Sequence, residues 1–89
     1  MTKYIVEISP QAKKQLKKID TYASKKIVTW IDKNLVNCVD PYLQGKPLKG
    51  NLSNHWRYRI GDYRLISQID NNKIKIIIVS VGHRKEIYD

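Results

Sequence analysis

The nine residues from 56 to 64, Trp-Arg-Tyr-Arg-Ile-Gly-Asp-Tyr-Arg, constrain the fold of this chain more than any other segment. Arginines alternate there with aromatic and aliphatic residues around a Gly-Asp pair, and glycine in the first turn position favours a type II′ β-hairpin. Since side chains alternate between the faces of a sheet, such a turn places Arg59 opposite Arg64, on one face with Arg57. The other face then carries Trp56, Tyr58, Ile60, Tyr63 and Leu65. We expect helices to cover that apolar face.

The arginines of the chain are segregated from its lysines. All four arginines follow residue 56, whereas most lysines lie in the N-terminal half. The planar guanidinium forms two parallel hydrogen bonds to a phosphate, which an ammonium group cannot do. Two like charges facing each other cost roughly 0.2–1 kcal/mol, so the pair Arg59 and Arg64 predicts an anion between them. The alternative is that the two arginine side chains diverge into solvent, or that Asp62 or Glu86 neutralises them.

Size and charge limit the class of protein. A chain of 89 residues makes one domain, spanning 1–89, and its net charge of +9 predicts an acidic partner, either nucleic acid or a strongly acidic protein. No apolar run is long enough to span a bilayer, and the N-terminus lacks a signal-peptide pattern, so we expect a cytoplasmic protein without a membrane partner.

Metal chemistry has little support in the sequence. The histidines are His55 and His83, and the lone cysteine, Cys38, is far from both, so no zinc-ligand spacing exists. The few acidic residues are scattered, which disfavours a two-metal nuclease and a paired-carboxylate hydrolase. We therefore expect neither a metal nor another cofactor.

The N-terminal half predicts a strand and two helices. Residues 4–8 are short and β-rich. Ser9 and Pro10 then read as the N-cap and first turn of a helix, and Asp20 or Thr21 caps a second helix. That second helix carries its apolar stripe as far as Cys38 and is stopped by Asp40 and Pro41.

The C-terminal half predicts three strands after a loop over residues 42–54. The strands cover 56–60, 63–70 and 73–81, with a turn at Asn71 and Asn72. The β-branched run 73–81 is expected to be the central strand, covered on both faces. The expected architecture is α+β, with an N-terminal strand and a two-helix hairpin packed on one face of a mainly antiparallel four-stranded sheet.

Three segments of the chain resemble the RelE/ParE toxin superfamily of bacterial type II toxin–antitoxin systems. They are Leu48-Lys49-Gly50, the hairpin 56–64, and the run Val-Gly-His-Arg-Lys-Glu-Ile-Tyr over 81–88. The last run is similar to the RelE branch in particular. The resemblance implies a RelE-like ribonuclease-type fold and a toxin that cuts mRNA in the ribosomal A site. It also implies a metal-independent reaction, in which the ribose 2′-hydroxyl attacks the adjacent phosphate and leaves a 2′,3′-cyclic phosphate.

The resemblance assigns catalytic roles to Arg59, Arg64, Arg84 and Tyr88. Arg64 would stabilise the charge of a phosphorane-like transition state. Arg84 would assist the leaving 5′-oxygen, and Tyr88 would stack on a base or help to activate the 2′-hydroxyl. By the same resemblance, RNA would be bound by Lys49, Arg57 and His83.

One departure from the RelE branch concerns the general base. Relatives carry lysines in the first hairpin strand, whereas Arg57 and Arg59 stay protonated and cannot accept a proton. The base is left open among Tyr88, His83 and Glu86, of which histidine titrates nearest to neutral pH when unperturbed.

The resemblance also implies partners and leaves two alternatives. The partners are a cognate acidic antitoxin, the ribosome and mRNA, with DNA contacted only through the antitoxin complex. One alternative is a ParE-like toxin that poisons DNA gyrase and cleaves nothing. The other is a catalytically inactive module that binds an antitoxin or RNA. Arg84 and the terminal Ile87-Tyr88 favour the nuclease.

Overall fold

Two helices lie on one face of a five-stranded sheet in the computed structural model, which describes residues 2–50 and 54–85. The elements are β1 Ile5–Ile8, α1 Pro10–Lys18, α2 Thr21–Asn34, β2 Lys46–Pro47, β3 His55–Ile60, β4 Tyr63–Asp70 and β5 Lys75–His83. The strand order is β1-β5-β4-β3-β2, with β1 parallel to β5 and all other neighbours antiparallel. The expected α+β class is confirmed, with a short fifth strand, β2, inside the segment predicted to be a loop. Neither helix could cross a membrane within the described ranges.

Both helices begin at the predicted caps. Ser9 Oγ accepts the Ala12 N–H at 3.1 Å, with Pro10 in the first turn of α1. Asp20 Oδ2 accepts the Ala23 N–H at 3.1 Å at the start of α2. Each cap satisfies one backbone donor that the helix cannot pair, which is worth about 1 kcal/mol.

The prediction that the second helix runs through Cys38 was wrong. The helix α2 ends at Asn34, and Asn37 adopts a left-handed φ of 61°. Its N–H donates to the Tyr4 carbonyl at 3.1 Å, while the Cys38 carbonyl accepts the Tyr4 N–H at 2.9 Å. This pairing with the segment before β1 satisfies backbone groups that a longer helix would have used. Burial also raises the pKa of the Cys38 thiol.

The core lies between the helices and the apolar side of the hairpin. Tyr58 and Leu65 are fully buried there with Ile76 and Ile78 of β5. The Tyr58 hydroxyl donates to the Pro41 carbonyl at 2.7 Å, and burial raises the pKa of that hydroxyl well above its usual value. The buried phenol is thus satisfied and neutral, as a core polar group must be.

The hairpin turn is confirmed, and the next turn differs from the prediction. Gly61 has a φ of 58°, and Ile60 pairs with Tyr63, as a two-residue type II′ turn requires. In the turn between β4 and β5 the left-handed residue is Ile74, with a φ of 53°, and not Asn71 or Asn72. Strand β5 consequently begins at Lys75.

Strand β5 contains a bulge that changes which of its residues face the helices. Ser67 pairs with Ile78 but Ile66 pairs with Ser80, so Val79 is an extra residue. Before the bulge Ile76 and Ile78 are buried, and after it Val81 is buried. Beyond the bulge, the side chains of even-numbered residues therefore lie on the face away from the helices, beginning with Ser80.

Helix α1 holds this bulge in place. Ser9 Oγ donates to the Val79 carbonyl at 3.1 Å, and Gln15 Oε1 accepts the Val81 N–H at 2.7 Å. The expectation that this strand is covered on both faces is not met. It lies between β1 and β4, but Ile77 and Val79 are only half-buried.

Strand β2 is short because Gly45 turns the chain away from β3. Gly45 has a φ of 80° and lies so close to β3 that an added Cβ would overlap the Arg57 carbonyl oxygen and approach the Trp56 indole. Gly50 has a similar φ of 70°, but an added Cβ there meets nothing within 4 Å. The two glycines share one backbone conformation and differ in the space around it.

We predict that Gly45→Ala destabilises the fold far more than Gly50→Ala. The left-handed conformation alone costs about 1–2 kcal/mol for an L-residue, which is the expected loss at Gly50. Overlap with β3 should bring the loss at Gly45 to about 2–5 kcal/mol. Urea unfolding followed by circular dichroism measures both variants. Equal losses would mean that the close approach of Gly45 to β3 is unimportant.

Candidate functional site

Three arginines share the sheet face that the helices leave uncovered, as predicted. Arg59 pairs with Arg64 across the hairpin, and alternation places Arg57 on the same side. Arg59 is exposed, whereas Arg57 and Arg64 are only 8% and 6% exposed. We call this surface the arginine face. Its two buried guanidinium groups are held by the protein, and Arg59 reaches solvent.

Arg64 is fixed at the tip of the hairpin. Its Nη1 donates to the Gly61 carbonyl at 3.1 Å and to the Tyr63 carbonyl at 3.0 Å. Across the sheet it pairs with Gly82, which carries no side chain. These bonds orient the guanidinium group before any ligand arrives, so less conformational entropy is lost on binding.

Arg84 reaches the same turn from the other end of the sequence. Its backbone N–H donates to the Asp62 carbonyl at 2.8 Å, and its Nε lies 3.9 Å from Asp62 Oδ1. The two side chains are more than half exposed, so their ion pair contributes little to stability. Arg64 and Arg84 thus both contact the Gly61-Asp62 turn. Asp62, which was expected to neutralise Arg59 or Arg64, instead forms an ion pair with Arg84.

His83 lies apart from the arginines. The bulge at Val79 directs its ring to the helix side, where it packs edge-on against Tyr63 with the ring centroids 5.5 Å apart. His83 Nδ1 also accepts the Lys85 N–H at 3.2 Å. In that arrangement a neutral ring carries its proton on Nε2, and accepting another proton would break the bond to Lys85.

Three further residues predicted for the site remain: Lys49, Glu86 and Tyr88. Lys49 is exposed in the segment after β2. Glu86 and Tyr88 lie outside the described residues. The roles of all three stay predictions.

Sequence reasoning missed two residues of the arginine face. Lys46 pairs with Arg57 and adds a fourth cation to this surface. His55 begins β3 two residues before Arg57, and its buried Nδ1 has no hydrogen-bond partner among the described residues. Lys46 stands between Gly45 and Pro47, which are typical of loops, so nothing in the sequence indicated the two-residue strand β2. His55 could have been placed on this face, because side chains two residues apart in a strand lie on the same side.

The arrangement of this site is therefore suited to electrostatic stabilisation of negative charge. Arg64 and Arg84 contact the Gly61-Asp62 turn, and Arg59 pairs with Arg64 across the hairpin. Their guanidinium groups can stabilise negative charge but cannot accept a proton. Over residues 2–50 and 54–85, no group of three or more His, Cys, Asp or Glu side chains is arranged to hold a metal ion.

Comparison with known proteins gives one consistent family. Residues 6–88 match the ParE toxin family, the toxin of the type II toxin–antitoxin system parDE. Toxin RelG of Mycobacterium tuberculosis is 31% identical over 85 residues, which cover 96% of this chain and 95% of RelG. Toxin RelE of the same organism is 28% identical over 85 residues, covering 96% of this chain and 86% of that toxin.

Solved structures show the same fold. The toxin–antitoxin complex RelBE2 from M. tuberculosis matches with a TM-score of 0.84 at 30% identity, covering 94% of both chains. The isolated RelE toxin of E. coli matches with a TM-score of 0.71 at 20% identity, covering 90% of this chain and 83% of that one.

We predict that Asp62→Asn strengthens the binding of inorganic phosphate at the turn. The substitution removes the carboxylate that competes for Arg84 and keeps the size of the side chain. The gain should reach up to about fivefold, because exposed ion pairs are worth about 0–1 kcal/mol. Titration of the amide NMR signals of residues 61–64 measures the affinity. Asp32→Asn, on the exposed side of α2, is the control for net charge, and an equal gain in that variant would contradict the prediction.

Proposed function

The chain belongs to the RelE/ParE toxin family of type II toxin–antitoxin systems, and we propose that it is a metal-independent endoribonuclease that cuts mRNA in the ribosomal A site. The observation that supports this activity most is the meeting of Arg64 and Arg84 at the Gly61-Asp62 turn, beside Arg59. Phosphoryl chemistry without a metal can use such a group of cations, because charge accumulates on the phosphate oxygens.

The proposed reaction is an internal transfer of the phosphoryl group. The ribose 2′-oxygen attacks the adjacent phosphorus, the bond from phosphorus to the 5′-oxygen breaks, and a 2′,3′-cyclic phosphate forms. Arg59 and Arg64 stabilise the additional negative charge on the equatorial oxygens. Arg84 stabilises the negative charge on the leaving 5′-oxygen, which takes a proton from water as it departs. The proton of the 2′-hydroxyl goes to a general base.

The general base of this proposal is Tyr88 or Glu86. Arginine cannot serve, and the contact of His83 with Lys85 and Tyr63 argues against the imidazole. The resemblance also suggests that the ring of Tyr88 stacks on a nucleobase of the mRNA. Arg57 and Lys49 bind phosphates beyond the scissile one.

The proposed partners follow from charge and family. The net charge of +9 suits an acidic antitoxin that covers the arginine face, and the similar M. tuberculosis toxin was solved in a toxin–antitoxin complex. The same charge suits the ribosome and mRNA in the cytoplasm. DNA would be contacted only through the antitoxin complex.

A gyrase-directed toxin is the second candidate function, because the matching family is described by its ParE member. The two functions differ in what is broken. In vitro translation with labelled mRNA should give breaks within codons if the chain is a nuclease. Intact mRNA together with trapped, cleaved DNA in a gyrase assay would support the second function.

We predict that Arg64→Ala and Arg84→Ala each abolish growth arrest without unfolding the protein. Removing one donor to the developing charge should lower the cleavage rate about 10²–10³-fold. The measurement is mRNA cleavage during in vitro translation, with circular dichroism to verify the fold. Lys14→Ala, on the exposed side of α1, is the matched control for lost charge. Full cleavage by either arginine variant would refute the proposed chemistry.

We predict that Tyr88→Phe separates the hydroxyl of Tyr88 from its ring. If the Tyr88 phenolate accepts the proton, phenylalanine has no group to replace it, so cleavage should fall by about 10²-fold or more. A role in stacking alone would leave the rate nearly unchanged, since phenylalanine stacks equally well. Single-turnover cleavage on the ribosome measures the difference, and Glu86→Gln tests the other candidate base in parallel.

A further inference from the structure

A small pocket of about 170 Å³ lies at the outer edge of β3, beyond the end of β2. It is lined by Trp30, Gln44, Gly45, Lys46, Arg57 and Arg59. We call it the edge notch. Arg59, which lines the edge notch, pairs with Arg64 across the hairpin that ends at the Gly61-Asp62 turn.

The edge notch exists because β2 stops before it can pair with Arg59. Leu48 N–H donates to the His55 carbonyl at 3.1 Å, so the backbone groups of alternate β3 residues from His55 onwards point towards β2. Arg59 is the third residue of that series, and its pairing partner would be Gln44. The left-handed Gly45 turns Gln44 away, and the Gln44 carbonyl accepts the Trp56 indole N–H at 2.6 Å instead.

This interruption leaves a donor at the edge notch. Within residues 2–50 and 54–85, no strand or side chain pairs with the outward N–H of Arg59. Lys46 and Arg59 are exposed beside that N–H, and Arg57 lines the same space. None of the described lining residues is acidic. A peptide N–H beside the two exposed cations Lys46 and Arg59 can hold an anion, and a guanidinium group suits phosphate in particular.

We propose that the edge notch binds a second phosphodiester of the RNA, next to the one cleaved at the Gly61-Asp62 turn. This inference rests on the proposed function. Neighbouring strands are about 4.8 Å apart, so the two phosphates lie about one strand spacing on either side of Arg59. The RNA therefore crosses the strands from β4 over β3 towards β2. Trp30, which packs against Tyr58 with the ring centroids 5.4 Å apart, is the aromatic wall for the attached nucleotide.

Comparing the affinities of ligands with one and with two phosphates tests this path of the RNA across the strands. Two RNA probes with all 2′-hydroxyls methylated cannot be cleaved: a dinucleoside monophosphate and a trinucleoside diphosphate. We expect the second phosphate to tighten binding about tenfold, and to shift the Arg59 amide and Trp30 indole signals in NMR titrations. Lys46→Met should remove most of that gain in affinity. It should also reduce the slope of log K against log salt concentration by about 0.7. Lys73→Met, in the turn after β4, is the control and should keep the gain.

Three results would overturn the assignment. They are equal affinities for the two probes, equal losses in Lys46→Met and Lys73→Met, or a hexaglutamate peptide that shifts the Arg59 amide at lower concentration than the trinucleotide. The last result would assign the edge notch to an acidic protein segment. These outcomes are independent of catalysis. If the chain cleaves mRNA but the second phosphate gives no gain in affinity, only the assignment of the edge notch is refuted. Intact mRNA after translation would instead refute the nuclease.

Discussion

The register between β3 and β4 is the constraint on which the rest of this structure depends. The Gly61-Asp62 turn sets it, since a two-residue loop admits only the pairing of Ile60 with Tyr63. A slip by one residue would exchange the faces, placing Arg64 among the core residues and Leu65 in water. Burying an unpaired guanidinium costs far more than a turn can supply, so the core and the arginine face specify each other.

Helix α1 contributes to the arginine face without touching it. Through Ser9 and Gln15 it binds the backbone on both sides of the bulge at Val79. That bulge shifts the alternation of β5, sends His83 to the helix side and brings the following residue to the Gly61-Asp62 turn. The helix cap and the position of Arg84 are therefore parts of one hydrogen-bonded arrangement.

The parts of the fold that could be predicted from sequence are those decided locally. Turn chemistry and alternation placed Arg57, Arg59 and Arg64 on one face, and Ser9 and Asp20 marked two helix starts. The bulge at Val79 could not be predicted, because it lies in an unbroken β-branched run and is decided by side chains of α1. The end of α2 was missed for a similar reason. Its apolar period continues to Cys38, while the competing contact comes from Tyr4, which is distant in sequence.

The parallel pairing of β1 with β5 has a consequence for how the protein is made. The first strand of the chain has the last one as its neighbour in the sheet, with Ile5 beside Lys75. Strand β1 therefore stays unpaired until the residues of β5 have been synthesised, and such long-range closure is a slow step in folding. The basic surface is also incomplete until Arg84 has been added. The same final segment thus completes both the sheet, through β5, and the group of cations at the Gly61-Asp62 turn.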